Sequence, residues 1–155
     1  MNVIKNYLDK LSGIWFIQQT NYNLTLNKVD IFKGELKIYP KISNIDKLES
    51  LKILSLRYEY YFDNQKINFL NFYQSDDRSD NTYVIKILNN RDLIIGSCAL
   101  FNRNSLNINL RYNEFSIQET ISFYNERFNS SITRIAINNK LQLISFSSAV
   151  KIKHL

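Results

Sequence analysis

The stretch Leu106-Asn107-Ile108-Asn109-Leu110-Arg111 alternates apolar and polar residues without a break, and that period of two constrains the fold more than any other feature. Only a β-strand puts every second side chain on one face, so this segment predicts a strand with one dry face and one wet face. The same alternation recurs in Trp15/Ile17 and in Leu36/Ile38, with Glu35 and Lys37 interleaved. Runs rich in Ile, Tyr and Phe at 56–62, 83–88, 93–101, 132–137 and 141–146 read as further strands. Asn, Asp and Ser clusters at 63–64, 75–81, 89–90, 102–105 and 138–139 fall where hairpin turns belong. Asn tolerates the left-handed backbone of tight turns, and here it stands in for Gly: the chain has 21 Asn and only three Gly. Segment 74–82 reads as the most mobile loop.

One helix precedes the strands. Val3, Ile4, Tyr7, Leu8 and Leu11 recur at spacings of three and four, and Ser12-Gly13 supplies the stop. Only three Ala are present, which disfavours a helical bundle, and no long helical segment separates the strands to make parallel crossovers. The 155 residues therefore predict one domain, 1–155: an all-β, closed antiparallel barrel of eight to ten strands with an N-terminal α-helix over one end. Barrels of this strand number can enclose one small ligand.

Counting excludes several chemistries. One Cys (Cys98) forbids an internal disulfide and any CxxC motif, and one His (His154) near the end of the sequence argues against a His-rich metal site or a catalytic triad. Three scattered Gly cannot build a phosphate-cradling loop. The chain has no apolar run long enough to span a membrane, and residues 1–7 lack the apolar core of a signal peptide, so a cytoplasmic protein without membrane contact is expected. The net charge of +6 suits an acidic partner, but the basic residues are dispersed rather than clustered among aromatics, which points away from nucleic acid.

Trp15, the only Trp, reads as a plug at the bottom of the barrel, as the Gly-x-Trp of lipocalin-like barrels does. Cys98, among apolar neighbours, reads as a small buried hydrophobe. Arg111 and Arg134 read as outer-face charges. Glu119 and Arg127 flank the segment 121–126; if that segment is a hairpin turn, the two face each other on neighbouring strands. They are then either a solvent-facing pair or a costly inward pair that needs a ligand.

Three segments together carry a family resemblance. Ser12-Gly13-Ile14-Trp15-Phe16-Ile17-Gln18-Gln19-Thr20-Asn21-Tyr22-Asn23-Leu24 resembles the opening Ser-Gly-x-Trp-x-Ser-Gln-Arg-Thr-x-x-x-Leu of S-type phycobiliprotein lyases. The segment 119–131 resembles their Glu-Arg-x-Trp-Phe-(loop)-Asn-x-Arg-x-Arg-Thr-Ser, and Phe146-Ser147-Ser148-Ala149-Val150-Lys151 their terminal Phe-Cys-Ser-Glu-Ile-Arg. The resemblance implies a ten-stranded barrel, like that of lipocalins and fatty-acid-binding proteins. Such a barrel holds an open-chain tetrapyrrole, with no resident cofactor, and delivers it to a cysteine of a phycobiliprotein. It implies Glu119 as the catalytic group at the pyrrole nitrogens and Arg127 as a propionate ligand. Tyr58, Tyr60 and Tyr112 are expected to pack on the ring system, with Gln19 and Asn129 at positions where the family carries arginines. Ala149 replaces the terminal glutamate, so three polar groups of the family are neutral or missing here.

The Asn/Ile/Lys-rich, Ala-poor usage suggests an A+T-rich genome, such as a marine cyanobacterium, a phage or a plastid, which extends the expected location to the plastid stroma. In that setting phycoerythrobilin is the expected cargo and a phycoerythrin subunit the acceptor. A homodimer stays open. A non-catalytic carrier of a bilin or another apolar carboxylate on the same barrel is the alternative.

Overall fold

The computed structural model describes residues 2–40, 53–62, 65–75, 82–88 and 92–154. Helix α1 (Asn2–Leu11) precedes ten strands: β1 (Gly13–Asn23), β2 (Lys28–Pro40), β3 (Ile53–Phe62), β4 (Gln65–Ser75), β5 (Thr82–Leu88), β6 (Asp92–Asn102), β7 (Ser105–Tyr112), β8 (Phe115–Asn125), β9 (Phe128–Ile137) and β10 (Lys140–Lys153). Each strand pairs antiparallel with the next. β1 also pairs with β10, from Ile14 opposite Lys153 to Asn23 opposite Leu143, and closes the ring. Closure gives every strand a partner on each side over part of its length, which is how barrels avoid open sheet edges.

The alternation of the sequence becomes inside and outside. Leu36, Ile38, Leu106, Ile108 and Leu110 are all buried, while Asn109, Arg111 and Arg134 are exposed. Gly96 on β6 is small for a steric reason. A Cβ there would overlap the backbone of Asn109 on β7.

α1 plugs one end of the barrel. It buries Tyr7, Leu8 and Leu11 against Trp15 and Phe123, and each such side chain contributes about 2 kcal/mol. The Tyr7 hydroxyl donates to the carbonyl of Ile121 at 2.6 Å, which fixes the helix to β8. The helix ends with unpaired carbonyls, as every helix does, and the barrel satisfies two of them. Trp15 Nε1 donates to Leu11 at 2.8 Å, and Lys151 Nζ donates to Lys10 at 2.7 Å. Gly13 makes the turn into β1 at φ +142, where a Cβ would meet the Lys153 carbonyl at 2.7 Å.

The turns at the other end use asparagine. Asn27, Asn113, Asn138 and Asn139 all have positive φ, between 49 and 63. The Asn138-Asn139 pair between β9 and β10 has the two left-handed residues that a two-residue hairpin requires. At the plugged end, Asn102 and Asn125 instead accept a backbone N–H two residues on, from Asn104 and Arg127, both at 2.8 Å.

Two sequence expectations are corrected, and one strand is added. β4 pairs with β3 and β5 although its apolar residues (Ile67, Phe69, Leu70, Phe72, Tyr73) follow no clean period of two. The segment 121–126 is not a turn: β8 runs on to Asn125, Ile121 and Phe123 are buried, and the turn is confined to 126–127. In segment 74–82, Gln74 and Ser75 end β4 and Thr82 opens β5, with Ser75 opposite Thr82; 76–81 lie outside the described residues, as do the predicted turns at 63–64 and 89–90.

Candidate functional site

Above the plug the barrel is hollow, with a cavity of about 410 Å³ that reaches from Leu11 and Trp15 at the plug to Ile117, Ile135 and Leu143 on the side of the asparagine turns, the mouth of the barrel. The cavity exists because the inward positions of β9 and β10 carry small side chains. Ser131 and Thr133 alternate up β9, and Ser145, Ser147 and Ala149 up β10, where a packed core would carry Leu or Ile.

The strand register sorts the lining into rows. Glu119, Thr133, Ser145 and Asn21 sit opposite one another on β8, β9, β10 and β1, and the next row down is Ile121, Ser131, Ser147 and Gln19. These rows form a polar belt. Ser131 and Ser147 share a hydrogen bond at 2.6 Å, and Gln19 Nε2 donates to Asn21 Oδ1 at 2.8 Å. Toward the mouth lies an apolar row of Ile117, Ile135 and Leu143, and Leu36, Ile38 and Ile108 supply apolar wall across the lumen. Such a cavity accepts a long apolar body and offers hydroxyls, amides and the Glu119 carboxylate to polar groups in its middle.

Glu119, Gln19 and Asn129 are thus brought into one lumen. Asn129 is buried near the plug, opposite Ala149 and Phe123. Arg127 is not with them. Glu119 faces Thr133, so the expected Glu119/Arg127 pairing across a hairpin is corrected. Arg127 is exposed in the turn at the plugged end, and its backbone carbonyl accepts the Lys151 N–H at 2.8 Å. Tyr58 lies opposite Ile38 and Tyr60 opposite Leu36 in the strand register of β3 against β2. Tyr112 ends β7 at the mouth, 40 % exposed, and does not line the described cavity.

Sequence reasoning missed Asn21, Ser131, Thr133, Ser145 and Ser147. Their signal was a period of two in small polar residues along 129–135 and 143–149. It also missed Lys151, which is buried with its Nζ 4.7 Å from the centre of the Trp15 ring. Burial pulls the Lys151 pKa down, and the negative charge of Glu126 partly opposes that.

Cys98 is buried, and burial pushes its thiol from 9.0 up to about 12. The folded protein therefore holds this proton where the unfolded chain has released it. Between about pH 9 and 12 the group's contribution to stability falls as pH rises. Thiol labelling at pH 8 is expected to run at least about a hundredfold slower in the native protein than in the urea-unfolded chain. Cys98→Ala should flatten the alkaline loss of stability. Fast native labelling would place Cys98 at the surface.

No family profile matches the chain. A chromophore lyase CpcS/CpeS homolog from Gracilaria tenuistipitata var. liui is 29 % identical over 150 residues, covering 96 % of this chain and 97 % of that protein. The S-type phycobiliprotein lyase CPES from Guillardia theta shares the fold with a TM-score of 0.73 at 12 % identity, over 98 % of this chain and 94 % of that one. Rv2717c from M. tuberculosis shares it at 0.60 and 8 % identity, over 97 % of this chain and 98 % of that one. In sequence along nearly its whole length, and in fold, the chain is similar to S-type phycobiliprotein lyases, as its own motifs indicated. No described helix is long and apolar enough to cross a membrane.

Proposed function

We propose that this chain is an S-type bilin lyase, which binds an open-chain tetrapyrrole in the barrel and delivers it to a cysteine of a phycobiliprotein. The observation that carries the reading is the hollow lumen with its polar belt, combined with near-full-length similarity to a chromophore lyase homolog. A bilin has a conjugated apolar body with pyrrole N–H groups along its middle, and the belt at Glu119, Thr133, Ser145 and Asn21 meets such groups between apolar rows. In this reading phycoerythrobilin is the cargo and a phycoerythrin subunit the acceptor, in the cytoplasm or a plastid stroma.

The transfer is an addition. The acceptor thiolate forms a C–S bond to the ethylidene carbon of the bilin, the double bond becomes single, and the adjacent carbon takes up a proton, so nothing leaves. The lyase needs no nucleophile of its own; Cys98 is buried with its thiol pushed up to about 12. What the chain supplies is orientation and exclusion of competing additions. Glu119 accepts pyrrole N–H bonds and favours the protonated, more electrophilic bilin.

Mixing the protein with phycoerythrobilin should give a red-shifted complex, and adding an apo-phycoerythrin subunit should give a chromophore that survives denaturation. Glu119→Gln keeps the size and loses the charge. The complex should form with its absorption shifted to shorter wavelength, and transfer should slow tenfold to a hundredfold, the equivalent of about 1.5 to 3 kcal/mol for a charged hydrogen bond. Arg127→Ala, at the plugged end, is the matched control and should bind bilin as the wild type does. Tight binding without any covalent transfer would reassign the protein as a carrier.

A further inference from the structure

Delivery from a barrel requires the open mouth to face a second protein, and the outer wall beside this mouth is not an ordinary solvent face. Tyr22, Val29, Ile31 and Phe146 on β1, β2 and β10, with Leu24 and Leu26 in the β1–β2 turn, are each between 41 and 69 % exposed. They adjoin one another. Tyr22 lies opposite Val29, Thr20 sits between Phe146 and Ile31, and the Tyr22 and Phe146 rings meet edge-on at 5.9 Å. Together they offer apolar area on the order of 600 Å², near the upper limit for the largest patch on a monomer and close to one side of a standard interface.

The turn that carries Leu24 and Leu26 is held in place. The Leu24 N–H donates to the Gln142 carbonyl at 2.8 Å, Asn23 Oδ1 accepts from the N–H groups of Thr25 and Leu26, and the Thr25 hydroxyl bonds the Gln142 side chain. Exposed leucines on a fixed turn present a preformed surface, which lowers the ordering cost of binding.

Charge selects the occupant. Lys33 opposite Gln18, Arg134 opposite Ile144 and Lys140 at the start of β10 border the patch, and none of them has an ion pair among the described residues. The neighbouring acids are already engaged, Asp30 by Lys28 at 2.9 Å and Glu35 by Lys37 at 3.2 Å, and Glu114 stands two strands further on. A second copy packed face to face would put the same three cations on both sides of one interface, because a two-fold interface uses the same surface patch twice. An acidic partner meets complementary charge instead.

We propose that this wall is the docking surface for an acidic protein, the acceptor that takes the ligand at the adjacent mouth; the identity of that partner rests on the reading of the chain as a bilin lyase. The test immobilises a phycobiliprotein apo-subunit and measures capture of wild type, of Ile31→Glu with Phe146→Glu, and of Lys33→Gln with Lys140→Gln, at low and high salt. All substituted positions are exposed and face away from the lumen, so the bilin absorption of each variant reports that the barrel is intact. The apolar variant should bind the subunit at least tenfold more weakly. The charge variant should bind more weakly at low salt and converge with wild type at high salt. Capture and transfer at wild-type levels by both variants would overturn the proposal. So would a wild-type dimer in sedimentation that Ile31→Glu with Phe146→Glu dissolves, since that gives the wall to a second copy. If wild type takes up no bilin the lyase reading fails, and capture of the apo-subunit still decides whether this wall docks an acidic partner.

Discussion

Ser145→Trp is expected to abolish bilin uptake while leaving a folded barrel. Ser145 is buried on β10 at the centre of the polar belt, between Thr133 on one side and Asn21 on the other. Its side chain faces about 410 Å³ of open lumen, so an indole there enters space rather than a packed neighbour. Overpacking in a filled core costs about 1 to 3 kcal/mol, and a hollow site should sit at the low end of that range. The ligand pays a larger penalty. The indole occupies the middle of the cavity and covers the belt, so apolar burial and polar contacts are lost together. A fall in affinity beyond about a hundredfold, 2.7 kcal/mol or more, is the expected result of a bilin titration followed by absorbance. Circular dichroism and thermal melting check that the barrel remains. Undiminished uptake by a folded Ser145→Trp protein would put the ligand outside the lumen.

The barrel was legible in the sequence where a single strand reveals itself. Leu106, Ile108 and Leu110 declare their face through alternation alone, the stripe Tyr7/Leu8/Leu11 declares the helix, and Asn138-Asn139 declares a left-handed turn. The cavity was not legible in that way, because it is a property of strands brought together. Asn21 and Ser145 lie 124 positions apart in the chain and become neighbours only when β1 closes on β10. A serine on an inward face reads in sequence as a weak strand residue, and only closure turns a row of them into a hollow. Arg127 shows how little error misplaces a site residue. Its family match was read as a strand position, but β8 continues to Asn125 and carries an irregularity between Phe123 and Asn125. Because side chains alternate, a shift of one or two residues at a strand end decides between lumen, outer face and turn. Asn129, two residues on, is the one that reaches the lumen.

Trp15 carries the largest stability effect, because several separate supports converge on it. It is fully buried, its Nε1 donates to the last carbonyl of α1, its ring lies 6.1 Å from that of Phe123, and the Lys151 ammonium stands over its face. Trp15→Ala removes the apolar burial and leaves a void under the helix, which together cost about 3 to 5 kcal/mol. It also leaves the Leu11 carbonyl without its indole donor and the Lys151 ammonium without its aromatic face, in a site where burial already disfavours the charge. The plug should loosen before the barrel does, since β1 keeps its ladders to β2 and β10 whatever side chain stands at position 15. The expected signature in urea denaturation is therefore a large drop in the midpoint. Hydrogen exchange should lose protection first in α1, with the central amides of β1 and β10 losing it only on global unfolding. Trp15→Phe, which refills most of the volume without the indole donor, should recover more than half of the loss and so separate packing from the hydrogen bond. A Trp15→Ala protein of wild-type stability, with α1 still protected, would mean that Tyr7, Leu8 and Leu11 hold the plug unaided.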